Sequence, residues 1–101
     1  MSITHITEFE AAPNQASALH TFLQSLIPYI SSSQGCISCE ILRCTDDASR
    51  FVAVVKWDCI ESHRNSVEGY PKEDMQAAMS LFGAPPKAAY YEALKQTNSS
   101  V

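Results

Sequence analysis

Histidine is the residue type in this chain best suited to moving a proton near neutral pH, and the sequence holds three. His63 is the first candidate for a general base, because helical spacing places it on one apolar face with Ile60 and Val67. The alternative is a half-buried structural histidine that is hydrogen-bonded to backbone. His5, near the chain start, either faces the same pocket or lies at the surface. His20 lies off the apolar stripe of its helix, so we expect it to face solvent.

A second group of side chains suits contact with a small apolar or aromatic ligand. Tyrosine can donate a hydrogen bond to a ligand oxygen, methionine adapts its shape, and large rings supply apolar walls. These candidates, each of which also suits ordinary core packing, are Trp57, Tyr70, Tyr91, Met75, Met79 and Phe82. Only one of the neighbours Tyr90 and Tyr91 can face the helices, and strand parity alone does not say which.

Metal and cofactor chemistry have little support in the sequence. The three glycines are isolated residues, so there is no glycine-rich phosphate cradle, and we expect no cofactor. Cys36 and Cys39 form a C-x-x-C, but residues three apart on a strand should point to opposite faces. Cys44 and Cys59 add no second pair of this kind. We therefore expect no bound metal and four reduced thiols.

Charge and composition limit the classes of partner and the location. Seven basic and eleven acidic residues give a net charge of −4, and the basic residues are scattered. Without a basic stripe, nucleic acid and anionic membranes are poor partners. No apolar run reaches the length of a membrane span, and the start lacks the regions of a signal peptide. We expect a cytoplasmic protein with one domain over residues 1–95 and a polar tail at 96–101.

The strands that must position these side chains are indicated by β-rich runs. Residues 35–43 and 50–57 flank a polar connector, which indicates a hairpin. The apolar run from Phe51 to Val55 is unbroken and predicts a strand buried on both faces. A first strand is expected at 2–9 and a last one at 87–94.

Three helical segments are predicted between the strands. Asn14 should cap the first, and Pro28 should kink its last turn. Its apolar stripe consists of Leu19, Phe22, Leu23, Leu26, Ile27 and Ile30. Asp58 is expected to cap a helix over 59–68, with Glu61 completing a capping box. A helical piece over 73–82 should end at Gly83 in the left-handed conformation.

The resulting β-α-β-β-α-β order predicts an α+β, ferredoxin-like fold with a four-stranded antiparallel sheet. Its helices can cover only one face of that sheet. The other face must also leave water, because it should carry its share of four apolar residues: Phe51, Ala53, Val55 and Trp57. Burial of this face against its own copy predicts a homodimer.

The chain resembles the antibiotic-biosynthesis monooxygenase family of dimeric α+β barrels at five places: Gly35-Cys36-Ile37, Glu40-Ile41-Leu42, Arg50-Phe51-Val52, Trp57 and Glu61-Ser62-His63. The resemblance implies a homodimer with one ligand pocket per subunit, between sheet and helices. It also implies oxidation of a small, electron-rich aromatic or quinol-type substrate, often with no metal or flavin. In that layout Met75, Met79 and Phe82 would form an adaptable wall of the pocket.

This chain departs from the family pattern at two positions, and these departures narrow the range of expected reactions. Many members carry His nine residues after the strand-end Trp, and the haem-degrading branch carries Trp there, whereas this chain has Ser66. Val55 stands where relatives often have Glu. Because Ser66 replaces the Trp of the haem-degrading branch, haem degradation is not expected. The predicted function is a cofactor-independent monooxygenase. The alternatives are a non-catalytic dimeric barrel that binds a small apolar ligand or serves a stress response, and an isomerase that uses His63 without O₂.

Overall fold

The computed structural model describes residues 2–94, and the predicted tail at 96–101 lies outside the described residues. In chain order the elements are β1 (Ile3–Glu10), α1 (Ala16–Ser31), β2 (Cys36–Arg43), β3 (Arg50–Trp57), α2 (Ile60–Gly69), α3 (Lys72–Ala78), a 3₁₀ turn (Met79–Leu81) and β4 (Lys87–Tyr91). The strands form one sheet in the order β2-β3-β1-β4, and every neighbouring pair is antiparallel. The predicted α+β, ferredoxin-like fold is confirmed.

The sheet has one face covered by helices and one open face. The alternate β3 residues Phe51, Ala53, Val55 and Trp57 are all buried. They lie on the helix-covered face, where Phe51 packs with the fully buried Leu19 and Leu23 of α1. The expectation that these four residues divide between both faces is therefore wrong, because strand parity keeps them together. The open face instead carries the half-buried Val52 and Val54.

The predicted caps of the first two helices are not the ones observed. Asn14 adopts a left-handed conformation with φ of 64°, and Gln15 takes the N-cap position of α1 without a side-chain hydrogen bond. Cys59 takes the N-cap position of α2, while Asp58 accepts a hydrogen bond of 2.5 Å from the Ser62 hydroxyl. A polar residue near a helix start is thus a weaker guide to the boundary than the apolar stripe. α1 contains Pro28 and extends three residues beyond it, to Ser31.

The connection before β4 is tighter than predicted. α3 ends at Ala78, and one 3₁₀ turn replaces the rest of the predicted helical piece. Gly83 does not adopt the predicted left-handed conformation, since Gly35 is the glycine with positive φ among the described residues. Gly83 instead donates its N–H to the Glu10 carbonyl at 2.7 Å, and an added Cβ would lie 2.8 Å from the Ala11 carbonyl oxygen. It is needed for this close backbone approach.

A β-bulge at the start of β2 changes which cysteines share a face. Cys36 pairs with Trp57 and the second residue after it, Ser38, pairs with Lys56, so Ile37 is the extra residue. Cys39 pairs with Val55, which places both thiols on the helix-covered face and corrects the expectation of opposite faces. Burial raises the pKa of each of the two thiols. Among residues 2–94 no cluster of three potential metal ligands is found.

None of the helices within the described part of the chain is long and apolar enough to cross a membrane.

Candidate active site

A cavity of about 560 Å³ lies between the sheet and the helices. Its floor comes from alternate residues of β1 and β3, including Thr7, Ala53 and Val55, and its walls come from all three helices. The lining is mostly aliphatic and aromatic. Its two charged residues, Glu68 and Lys72, are exposed. Such a space suits a small ligand with an apolar body and few polar atoms.

The structure places six of the eight predicted site residues around this cavity: His5, His63, Trp57, Tyr70, Met75 and Phe82. Tyr91 does not join them, because it lies opposite Thr4 on the open face of the sheet. Met79 belongs to the 3₁₀ turn, is 61% exposed and does not line the cavity. The expectation that these two residues line the pocket is therefore corrected.

Tyr90 is the tyrosine that joins the site. It pairs with His5 across the sheet, on the helix-covered face, and its hydroxyl lies 2.6 Å from Nδ1 of His63. The register between β1 and β4 decides which of the two neighbouring tyrosines faces inward, and the sequence does not reveal that register. The sequence indicated only that one of the two tyrosines, Tyr90 or Tyr91, had to face inward.

Three elements bring His5, His63 and Tyr90 together. β1 supplies His5, the first turn of α2 supplies His63 and β4 supplies Tyr90. The imidazole rings of the two histidines stack with centroids 3.9 Å apart and an interplanar angle of 29°. The Tyr90 ring lies edge-on to His63 at 5.3 Å. Two imidazoles and one phenol thus form a polar cluster at one end of an apolar cavity.

Both histidines are held in the neutral form. Burial, followed by repulsion from His5 and Arg64, lowers the pKa of His63 to about 4. Burial also lowers the pKa of His5. A second positive charge on the stacked ring would raise the electrostatic energy further. At neutral pH each ring therefore has one N–H donor and one nitrogen acceptor.

Trp57 places a third N–H donor beside this cluster. Its side chain is 1% exposed, and its ring lies edge-on to His63 with centroids 5.7 Å apart. The indole Nε1 is buried and has no hydrogen-bond partner within residues 2–94. A buried donor without an acceptor is unfavourable by roughly 1–3 kcal/mol, so it is an uncommon feature of native proteins.

Ser66, which stands where many members of the resembled family carry His, is occupied by structural hydrogen bonds. Its hydroxyl lies 2.9 Å from that of Ser33, and its carbonyl accepts a hydrogen bond of 2.6 Å from the Tyr29 hydroxyl. Tyr29 and Ser66 form a wall shared with a second, polar cavity of about 340 Å³. Ser66 therefore supports the wall and supplies no base.

His20 differs from the expectation that it faces solvent. It is half-buried and stacks on the buried Phe51, with ring centroids 5.8 Å apart and an interplanar angle of 16°. It does not line the cavity. The ring covers the edge of the core, which is a packing role.

Comparison with known proteins supports the same fold. The family described as antibiotic biosynthesis monooxygenase matches residues 2–80. No curated protein matches the chain. Among solved structures, Rv0793 from Mycobacterium tuberculosis is similar with a TM-score of 0.84 and 18% identity, over 97% of this chain and 100% of that one. PA3566 from Pseudomonas aeruginosa has a TM-score of 0.80 and 18% identity, over 93% and 95% of the two chains. SnoaB, a cofactor-independent oxygenase from Streptomyces nogalater, has a TM-score of 0.81 and 14% identity, over 94% and 95%.

Proposed function

Because the chain belongs to the antibiotic biosynthesis monooxygenase family, we propose that it is a cofactor-independent monooxygenase for a small aromatic or quinol-type substrate. One observation carries the proposal: an apolar cavity of about 560 Å³ contains two stacked, neutral imidazoles, His5 and His63. The likeness to SnoaB, which is a cofactor-independent oxygenase, supports the scaffold for this chemistry. At 14% identity it does not identify the substrate.

The proposed chemistry asks the protein for a proton acceptor, a dry cavity and a hydrogen bond to an anion. A neutral imidazole removes the acidic proton of the bound substrate, and the resulting anion passes an electron to O₂. With anthrone as the probe, the CH₂ group becomes C=O. One oxygen atom enters the product and the other leaves as water, so the substrate supplies all four electrons. The histidine pair can provide both the acceptor and the donor.

The lowered pKa values change the pH dependence expected from an unperturbed histidine. A rise of activity near pH 6.5 would follow from an ordinary imidazole. Since the pKa of His63 is lowered to about 4, its neutral form persists well below pH 6. The activity of the folded protein should therefore stay nearly constant from pH 6 to 8 as far as this residue is concerned.

We also propose that the protein works as a homodimer through the open face of the sheet. On this face Ile6 pairs with Val54 and Leu42 pairs with Val52, which gives two adjacent apolar pairs. Leu42 is 45% exposed in the single chain. A second copy seated here would remove this surface from water, as an isologous interface does. We further propose a cytoplasmic location, which subcellular fractionation would test.

Oxygen consumption tests the catalytic proposal. Purified protein treated with EDTA should speed the O₂ uptake of an anthrone solution above the rate in buffer. His5→Ala and His63→Ala should each lower kcat by about 10²–10⁴, the usual effect of removing a positioned base or donor. His20→Ala is the matched control outside the cavity and should retain full activity. Anthrone binding without O₂ uptake would instead favour a binding protein, and turnover without O₂ uptake would favour an isomerase.

A further inference from the structure

Tyr90 makes the shortest polar contact within the histidine cluster. Its hydroxyl oxygen lies 2.6 Å from Nδ1 of His63, which is a short distance for a neutral hydrogen bond. The Tyr90 ring is also 5.0 Å from the ring of His5. The contact joins β4 to α2, residues that are 27 positions apart in the chain. Tyr90 is thus placed to control one specific nitrogen of His63.

The direction of this hydrogen bond follows from the acidity of the two groups. A phenol O–H, with a pKa near 10, is a better donor than a neutral imidazole N–H, and an imidazole nitrogen is a better acceptor than a phenol oxygen. This difference in acidity favours the Tyr90 hydroxyl as the donor and Nδ1 of His63, 2.6 Å away, as the acceptor. A neutral ring whose Nδ1 accepts a hydrogen bond must carry its own proton on Nε2.

At neutral pH His63 does not carry a second ring proton, which would make both of its nitrogens donors. Burial and repulsion from His5 and Arg64 lower the pKa of His63. The stacked His5 ring lies 3.9 Å away, so protonation of both rings would place two positive charges at that distance. His63 accordingly presents one donor, the Nε2–H, and no acceptor of its own.

The Trp57 indole ring is the wall beside this donor. Its Nε1–H is buried and lacks a partner among residues 2–94, and the indole ring lies against His63 and lines the cavity. Because Nε1 has almost no accessible surface, a ligand in the cavity does not reach this N–H, and Nε2–H of His63 remains as a donor for the ligand. A ligand carbonyl or phenolate oxygen would be an acceptor for the Nε2–H of His63.

We propose that Tyr90 holds His63 in the neutral Nε2–H tautomer, so that the cavity selects ligands carrying a carbonyl or phenolate-type oxygen. Tyr90 is a positioning residue in this account, because it acts on the ligand through His63. Proton acceptance then falls to His5. The inference rests on the proposed function only in placing the ligand in this cavity.

The tautomer can be measured directly in the unmodified protein. Long-range ¹H–¹⁵N correlation spectra of ¹⁵N-labelled protein at pH 7 distinguish a protonated from an unprotonated ring nitrogen. The expected spectrum of His63 shows an unprotonated Nδ1 and a protonated Nε2. In Tyr90→Phe, the His63 signals should shift toward a mixture of tautomers. A protonated Nδ1 in the wild-type protein would overturn the proposal.

Ligand selection can be measured with two probes of nearly equal shape. 9-Fluorenone carries a carbonyl oxygen and fluorene does not, and Trp57 is the only tryptophan, so its fluorescence reports binding at the cavity. Tyr90→Phe should weaken fluorenone binding about three- to ten-fold, the usual effect of losing one hydrogen bond. Fluorene binding should not change.

Tyr91→Phe is the matched control, because it removes the same hydroxyl from the open face of the sheet. It should leave the binding of both probes unchanged. Equal weakening of fluorenone and fluorene by Tyr90→Phe, or no weakening of either, contradicts the selection of an acceptor oxygen. A protein that shows the expected tautomer and fluorenone preference but consumes no O₂ would overturn the proposed function and leave this inference standing.

Discussion

Acidification should destabilise this protein through His63. In the folded state the pKa of His63 is lowered to about 4, whereas the unfolded chain has the ordinary value near 6.5. Between these values the unfolded state binds the proton and the folded state does not. Stability from this residue is therefore fully present above pH 6.5 and is lost as the pH falls toward 4. His5, whose pKa is also lowered by burial, contributes in the same direction.

The size of the effect follows from the shift and from the exposure of the ring. A difference of about 2.5 pH units corresponds to about 3.4 kcal/mol at full burial. The ring is only half-buried, and solvent screening reduces this to roughly 1–2 kcal/mol. Between pH 7.5 and 5 we expect a loss of about 1 kcal/mol in the free energy of unfolding from His63. The pKa values of Asp47 and Asp58 are lowered, so these two carboxylates affect the free energy of unfolding at lower pH than His63 does.

Urea unfolding at pH 7.5, 6.5, 5.5 and 5.0, followed by circular dichroism, measures this dependence. His63→Gln should show a flatter profile than the wild-type protein over that range. His20→Gln removes a histidine outside the cavity and should keep the wild-type profile. Parallel profiles for wild-type and His63→Gln would refute the argument, because the proton uptake on unfolding would then come from elsewhere.

Two further predictions test the architecture. Gly35→Ala should lower the free energy of unfolding by roughly 2–4 kcal/mol in urea titrations, because Gly35 has φ of +88° and an added Cβ would lie 2.5 Å from the Asp58 carboxylate; an unchanged midpoint would contradict the close approach. Val54→Asp should convert the proposed dimer to a folded monomer, since it places a charge in the apolar Ile6–Val54 pair of the open face. Sedimentation at micromolar concentration should show twice the chain mass for the wild-type protein and the single mass for the variant, and a wild-type monomer would contradict the interface.

The sequence could predict which residues repeat along a helix or strand as its buried positions. The stripe of α1 correctly contains the fully buried Leu19 and Leu23, because a helix repeats its core-facing position every three to four residues. The order of strands and helices along the chain followed from the alternation of their sequence patterns. The helix boundaries were less predictable, since Asn14 and Asp58 suit several local hydrogen-bonding roles besides the N-cap.

The details that the sequence could not supply depend on strand register. The bulge at Ile37 moves Cys36 and Cys39 to one face, and bulges leave no reliable mark in a single sequence. The inward position of Tyr90 follows from its pairing with His5, a contact between the two ends of the chain. Residue types identified His63 as a candidate, but only the packing of three elements shows its stacked partner.

We propose that this cavity inserts an oxygen atom from O₂ into an aromatic substrate without a cofactor. Mass spectrometry of anthraquinone formed from anthrone under ¹⁸O₂, by protein treated with EDTA, tests the claim most directly. Each product molecule should contain one ¹⁸O atom, and product should form faster than in buffer and much more slowly with His5→Ala. Product formed no faster than in buffer, or product without ¹⁸O, would contradict it.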